Sequence, residues 1–212
     1  MTDQTSIQAK IWRGYAIAAQ KLGLSYAHYR PLTAANPISA PNQLAALPAS
    51  FSPDGGYKKP SGYGKPIWQC LADGSQLLVG DYLAGGSTYF IAAMQPLLPI
   101  IAVECNRTVT LFRVAANPNA GAQGYSGMTA QNEIAYATGF PCSVLQGTKG
   151  EKNDAGLPAD TRLPWWSILI PAAVGAARYG DLITDDLGNR YVASSVELTD
   201  LGYRITASQV VV

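Results

Sequence analysis

An internal echo constrains this chain more than any other feature. Pro66-Ile67-Trp68 is followed by Gly80-Asp81-Tyr82-Leu83 and then by Tyr89-Phe90-Ile91-Ala92. About 100 residues later, Pro164-Trp165-Trp166 is followed by Gly180-Asp181-Leu182-Ile183 and then by Tyr191-Val192-Ala193-Ser194. The order is preserved: a Trp-bearing strand, a Gly-Asp turn, an apolar pair, a glycine-containing turn and an aromatic strand. In the second copy Gly180 permits a tight turn and Leu182-Ile183 opens a strand. Asp185-Asp186-Leu187-Gly188-Asn189 reverses it and Tyr191 to Ser194 returns, which predicts a β-hairpin. Ala84-Gly85-Gly86-Ser87 makes the shorter reversal in the first copy. Two hairpins of one design predict a mainly β fold with two small β-barrel-like modules related by duplication; one composite sheet is the alternative.

The remaining β signals fit this reading. Short runs rich in β-branched and aromatic residues lie at Gln76 to Val79, Thr88 to Ala92, Ile100 to Cys105 and Thr108 to Val114, and resume at Ser167 to Ile170, Asp181 to Thr184, Tyr191 to Ser194 and Tyr203 to Val212. Between the two groups, Ala115 to Ala159 is rich in Gly and Asn, with one short helix expected over Thr129 to Thr138. Upstream, Ile7, Ile11, Tyr15, Ala18 and Leu22 recur at spacings of three and four and predict an N-terminal α-helix from Ser6, its expected cap, to Leu22, with Gly23 ending it. Trp12 widens the apolar stripe, so the helix must pack on something.

From Pro31 to Pro66 prolines and glycines recur too closely for a helix or a central strand, and the stretch carries Phe51, Tyr57 and Tyr63. It reads either as a Pro/Gly-rich extended arm laying aromatics on a neighbour or as a loop wrapping its own domain. The expected organisation is therefore a helix in 1–30, the arm in 31–65, a first β module in 66–115, a loop-rich linker in 116–160 and a second β module in 161–212. Removing residues 1–30 is expected to leave the β part folded.

Charge narrows the partners. Only 14% of residues are charged, against about 25% in an ordinary soluble domain, while 48% are hydrophobic. A surface so poor in charge suits a subunit covered by other proteins. Fifteen basic and 14 acidic residues leave no electrostatic footprint for nucleic acid. No apolar run approaches the roughly 20 residues of a membrane-spanning helix, and Met1-Thr2-Asp3-Gln4 does not open a secretory leader. Cys70, Cys105 and Cys142 are widely spaced and read as reduced, buried thiols, in keeping with assembly in a cytoplasm.

No catalytic, cofactor or metal site emerges from the pattern. His28 is the one histidine and cannot build a zinc site without further ligands. Gly124-Tyr125-Ser126-Gly127 lacks the spacing of a nucleophile elbow, and Gly147-Thr148-Lys149-Gly150 lacks the Lys-Ser or Lys-Thr ending of a phosphate loop. Asp185 and Asp186 are explained by a turn. Asn106-Arg107-Thr108 matches a glycosylation acceptor without an export signal to give it meaning.

Val79-Gly80-Asp81-Tyr82-Leu83 with Tyr89-Phe90-Ile91-Ala92, and Gly180-Asp181-Leu182-Ile183-Thr184-Asp185 with Arg190-Tyr191-Val192, resemble the hairpins of the small β-barrel head-completion, tail-completion and neck proteins of bacteriophages. The stretch Tyr89 to Arg113, with Gln95-Pro96-Leu97-Leu98-Pro99-Ile100 and Cys105-Asn106-Arg107-Thr108, resembles proteins encoded among the tail genes of contractile-tailed phages. The likeness covers roughly Tyr63 to Arg113 and Trp165 to Val212. It implies a non-enzymatic virion subunit in the tail or baseplate, with tube, sheath, baseplate or neck proteins as neighbours, assembled in the host cytoplasm. A head-tail connector is the nearest alternative; a cell-wall-degrading enzyme or a receptor-binding module stands further off. Ile7, Ile11, Trp12 and Tyr15 in the helix and Phe51, Tyr57 and Tyr63 in the arm are the expected contact residues, whereas Trp68, Trp165 and Trp166 are expected in barrel cores.

Overall fold

A computed structural model describes residues 3–53, 65–114, 132–147 and 165–210. Helix α1 (Gln4–Leu22) is followed by β1 (Leu24–Tyr29), β2 (Leu47–Ser52), β3 (Ile67–Leu71), β4 (Tyr82–Ala84), β5 (Thr88–Ala93) and β6 (Ile100–Cys105), which close into a barrel in the order β1-β2-β3-β6-β5-β4. A second closed barrel holds β7 (Arg107–Val114), β8 (Glu133–Gln146), β9 (Trp165–Ile170), β10 (Leu182–Asp185), β11 (Arg190–Thr199) and β12 (Gly202–Val210) in the order β7-β8-β9-β12-β11-β10. The two orders are the same six-strand topology used twice. All pairings between these strands are antiparallel.

Register matches the two copies residue by residue at several places. Leu83 pairs with His28 and Tyr89, as Ile183 pairs with Leu111 and Tyr191. Trp68 faces Ala102 as Trp166 faces Ala207. The β5–β6 ladder shifts between Ile91 and Ala93, and the β11–β12 ladder shifts at the matching place between Ala193 and Ser195. A bulge kept in both copies bends each wall where the barrel must curve.

The repeat extends into strands whose prolines hide them. Leu47-Pro48-Ala49-Ser50 in β2 occupies the register of Phe140-Pro141-Cys142-Ser143 in β8: Pro48 faces Ser25 as Pro141 faces Thr108, and Ser50 faces Leu71 as Ser143 faces Leu169. Pairing with β3 and β9 begins only at those serines. Each proline therefore lies where its missing N–H costs no bond to the following strand.

Two cores follow from strand alternation. Tyr26, Leu47, Ala49, Cys70, Leu83, Tyr89, Ile91, Ile100 and Ala102 fill the first barrel. Val109, Leu111, Phe140, Val144, Ile168, Ile183, Tyr191, Ile205 and Ala207 belong to the second core, which also includes Tyr82, Phe90, Ala92 and Val103 from the outer wall of the first barrel. That wall is apolar because β5 and β6 lie against β8. Full burial of a side chain such as Phe90 is worth roughly 1.5–3 kcal/mol, so the wall joins the barrels firmly. Asn106 alone separates β6 from β7, and the Tyr82 hydroxyl donates to the Pro141 carbonyl at 2.9 Å.

A second tie comes from the loop after β1. The Asn36 and Thr138 backbones exchange bonds with Thr138 and Ala34 at 2.8 and 3.0 Å, adding a short parallel bridge from Ala35 to β8. Gly139 has φ +68° there, and a Cβ at that position would fall 2.2 Å from Asn36 Oδ1. Only glycine fits both demands.

Several expectations change. The stretch 31–65 is not an extended arm throughout: its described parts hold the loop locked by Asn42, whose side chain donates to the Pro37 carbonyl at 3.0 Å, and the barrel strand β2. The first β module begins at β1 rather than at residue 66, and the second begins at β7 rather than at residue 161. Within the expected linker, Glu133 to Thr138 is strand rather than helix, because this segment closes the barrel beside β7; residues 129–131 lie outside the described residues. Gln76 to Val79 is a turn, not a strand, because the backbone there wraps the Asp81 carboxylate. The cap of α1 is Asp3, not Ser6, whose N–H donates to the Asp3 carbonyl.

Because β1 is a barrel strand, removal of residues 1–30 should not leave a folded β protein. That deletion exposes the unpaired edges of β2 and β4 and should abolish cooperative thermal unfolding and the near-UV circular dichroism signal, whereas a chain starting at Gly23 should retain both.

Candidate functional site

The two Gly-Asp turns carry matching networks around a buried carboxylate. Gly80 and Gly180 take φ of +92° and +81°, which glycine adopts without strain, and each donates its N–H back across the sheet, to Ile91 and Ala193 respectively. The aspartate that follows is thereby turned inward. Asp81 and Asp181 are 1% and 4% exposed.

The bonding of the two carboxylates is nearly superposable. Arg30 Nε donates to Asp81 Oδ1 at 2.9 Å, while its Nη2 donates to Oδ2 at 2.7 Å and to the Gln76 carbonyl at 3.0 Å. Arg113 does the same to Asp181, at 2.9 and 2.7 Å, and to the Ala176 carbonyl at 2.8 Å. The Leu78 N–H reaches Asp81 Oδ2 at 2.8 Å, and the Arg178 N–H reaches Asp181 Oδ2 at 2.7 Å. One further donor differs: His28 Nε2 at 2.8 Å in the first barrel, the Tyr136 hydroxyl at 2.8 Å in the second. Leu111 stands in the register of His28, so Tyr136 from β8 replaces the lost donor, and Arg113 lies 4.6 Å over its ring.

This bonding sets the charge state. Burial pushes the Asp81 carboxyl upward, but the hydrogen bonds from Arg30, His28 and the Leu78 N–H outweigh it and hold the group below the usual aspartate value. Asp181 is held down in the same way against burial by Arg113, Tyr136 and the Arg178 N–H. Burial raises the Tyr136 hydroxyl, and donation to Asp181 raises it further. Both aspartates are thus fixed anions whose oxygens are engaged by donors of the same chain. They hold turns and do not present a base to a substrate.

Asp185 is a third such group. It accepts from the backbone N–H groups of Leu187 and Asn189, from Asn189 Nδ2 and from the Tyr191 hydroxyl. Burial would raise its pKa, yet the Asn189, Tyr191 and Leu187 donors hold it low. Surrounded by N–H and O–H donors, it is unsuited to a cation. Among the described residues no group of three or more His, Cys, Asp and Glu side chains is placed to hold a metal.

A cleft of about 440 Å³ lies at the seam between the barrels, lined by Thr88, Cys105, Arg107, Thr108, Gly139 and Asp186 among others. Its charged groups face each other, with Arg107 Nε 4.0 Å from Asp186 Oδ1. Burial pushes the Cys105 thiol well up, which keeps it in the unreactive thiol form.

The expected contact residues take different places. Ile7 is 39% exposed, and Ile11 is half-buried. Trp12 lies on the Gly74 turn, where a Cβ would fall 2.4 Å from the indole, and Tyr15 packs on the first core. Phe51 is inside the first barrel, stacked on Tyr89 at 3.7 Å and 8°. Tyr57 and Tyr63 lie outside the described residues. Trp68 and Trp166 pack against the two cores. Each indole nitrogen is buried without a hydrogen-bond acceptor, and each ring meets its own tyrosine, Tyr89 or Tyr191, edge-on.

Sequence pattern missed the exposed apolar tips. Val79 and Tyr179, each immediately before the left-handed glycine of its clamp, are 58% and 80% exposed. Leu78 is exposed beside Val79, and Leu22 and Leu24 flank Gly23 on the surface. The signal available in the sequence was their place before a duplicated Gly-Asp pair. Among the described residues, no helix is long and apolar enough to cross a membrane. No protein-family model, curated protein or solved structure matches the chain.

Removing the carboxylate of a clamp should destabilise the fold without altering its outline: Asp81→Ala and Asp181→Ala should each cost about 3 kcal/mol in chemical denaturation, since each strands a partly buried arginine. The pH dependence carries the matching sign. Depressed carboxyl groups contribute stability in full above their unfolded value of about 3.9, and that contribution is lost as pH falls through the folded values. Acid unfolding should therefore set in below about pH 4, and Asp81→Asn should flatten the acid limb.

Proposed function

We propose that this chain is a non-enzymatic structural subunit of a contractile-tailed phage particle, placed in the tail or baseplate and holding neighbouring subunits together. The observation that carries the reading is the duplicated clamp. The inward-turned aspartates Asp81, Asp181 and Asp185 are spent on fixing turns, and each Gly-Asp clamp raises an apolar residue, Val79 or Tyr179, to the tip of its barrel. Rigid barrels with apolar tips suit contacts with other proteins more than turnover of a substrate.

Two further features support it. The resemblance of the Gly-Asp hairpins to phage completion barrels points to the particle, and the low charge of the whole chain suits a surface shared with neighbours. Contacts in such a particle rest on apolar burial, and exposed side chains such as Leu22, Leu24, Leu78, Val79 and Tyr179 are placed to provide it.

Mass spectrometry of tailed particles purified from the host that encodes the chain provides the test. The chain is expected in the particles at a fixed ratio to tube and sheath subunits, and Tyr179→Asp with Val79→Asp should lower its incorporation at least tenfold while leaving its thermal stability unchanged. Particles lacking the chain, or hydrolysis of purified cell wall by the chain that a single carboxylate substitution abolishes, would overturn the reading.

A further inference from the structure

Helix α1 is fixed to the first barrel along one side. Ala19 is 1% exposed, Tyr15 packs on the first core, Trp12 lies on the Gly74 turn, and Gln8 Oε1 accepts from the Leu97 N–H at 2.6 Å. The other side carries Lys10, Arg13, Gly14, Ile17 and Lys21, all exposed, with Ile17 at 48%. With 3.6 residues per turn these five positions fall within an arc of about 100°, so they form one outward face.

Helix stability does not account for this face. Basic and acidic residues nearly cancel over the chain, 15 against 14, yet α1 holds three cations and no anion. Lys10 and Arg13 stand three apart, like charges side by side. The helix positions four away from the three cations are Ser6, Ala9, Gly14 and Ile17, so no intrahelical ion pair offsets the repulsion. None of the three forms an ion pair with a described residue. Gly14 lies in the middle of the helix, where glycine is less stable than alanine, and a Cβ there would meet nothing within 4 Å. Its missing side chain serves no packing inside the chain and leaves a notch between Lys10, Arg13 and Ile17.

We propose that the outward face of α1 docks an acidic segment of a neighbouring protein. Carboxylates of that segment meet Lys10, Arg13 and Lys21, its backbone approaches over Gly14, and Ile17 is covered at the centre. The cations set the sign of the partner; the notch and the isoleucine set its kind. Three surface charges hold an anionic membrane only weakly, and the face offers no cluster of large apolar side chains to enter a bilayer. A glycine that lets another backbone come close is useful against a protein rather than against fluid lipid. This contact presupposes that the chain is a subunit held by neighbours, and it adds to Val79 and Tyr179 a surface of stated charge.

Site-specific crosslinking tests this. The full chain carrying p-benzoylphenylalanine in place of Ile17 is irradiated in the host that encodes it, and the crosslinked peptides are identified by mass spectrometry. The expected adduct is one acidic segment of another protein. Lys10→Glu, Arg13→Glu and Lys21→Glu together should lower its yield at least tenfold without changing the thermal unfolding of the chain, and lysines in place of the acidic residues of the captured segment should restore it. Gly14→Leu, which fills the notch, should lower the yield with no change of charge. A face that stays uncrosslinked, an adduct with lipid or with a second copy of this chain, a captured segment without acidic residues, or a yield indifferent to the charge reversal, to its exchange or to Gly14→Leu would each overturn the proposal. A captured protein that is absent from tailed particles overturns the assignment to the particle and leaves the docking face standing; a chain present in the particles with Ile17 uncrosslinked does the reverse.

Discussion

Barrel closure rests on a buried carboxylate held by an arginine from the strand beside it. In each barrel the first strand pairs with the fourth, β1 with β4 and β7 with β10, across a seam between strands that are not chain neighbours. The clamp sits at that seam: Arg30 follows β1 and Arg113 is the last residue but one of β7, and each bidentate pair reaches the aspartate just before the opposite strand. A buried anion without its partner is costly, so the strands are driven to meet in one register. Bidentate geometry adds direction to that drive. The turn glycine, the aspartate, the arginine and the seam are one device, made twice.

The duplication explains why some of the fold was legible in the sequence and some was not. Gly80-Asp81 and Gly180-Asp181 stand out because the turn demands both residues, and Ile100–Cys105 stands out because it is a short β-rich run. The arginines did not stand out. Arg30 precedes Asp81 by a different span than Arg113 precedes Asp181, since the loops and strands between them differ in length. A repeat search at one fixed separation cannot align residues whose spacing has drifted. Strands β2 and β8 were hidden by Pro48 and Pro141, which argue against a central strand until the register shows pairing with the next strand starting two residues later. With β2 unseen, Phe51 read as an arm residue reaching a neighbour, whereas it stacks on Tyr89 within its own barrel. The helix signal held, but the partner of the helix was not readable from its stripe: Trp12 finds its place on Gly74, a residue whose missing side chain matters only once the turn is folded.

Two barrels of one design cannot remain alike once they pack side by side. The first has become apolar on both faces of β5, where Tyr89 and Ile91 point into its own core and Phe90 and Ala92 join the core of the second. The second has kept a solvent-adapted wall, with Ser208 in the register of Val103 and Val192 in that of Phe90. The donors around the clamp diverged by the same logic of local compensation. Where the second barrel has Leu111 in place of His28, a tyrosine from the neighbouring strand supplies the bond, and the carboxylate keeps its full set of donors.

The first barrel carries a helix on β2 and β3, and the second presents a wall on which Ser194 and Ser208 are exposed. The described residues fill both barrel interiors, and Asp81, Asp181 and Asp185 are engaged by donors of the same chain. At the tips, the clamp that buries Asp81 or Asp181 also fixes the backbone on which Val79 or Tyr179 stands. Exposed apolar side chains on a rigid turn lose little entropy when covered. The physics that closes each barrel therefore also sets the backbone on which its exposed apolar residue stands.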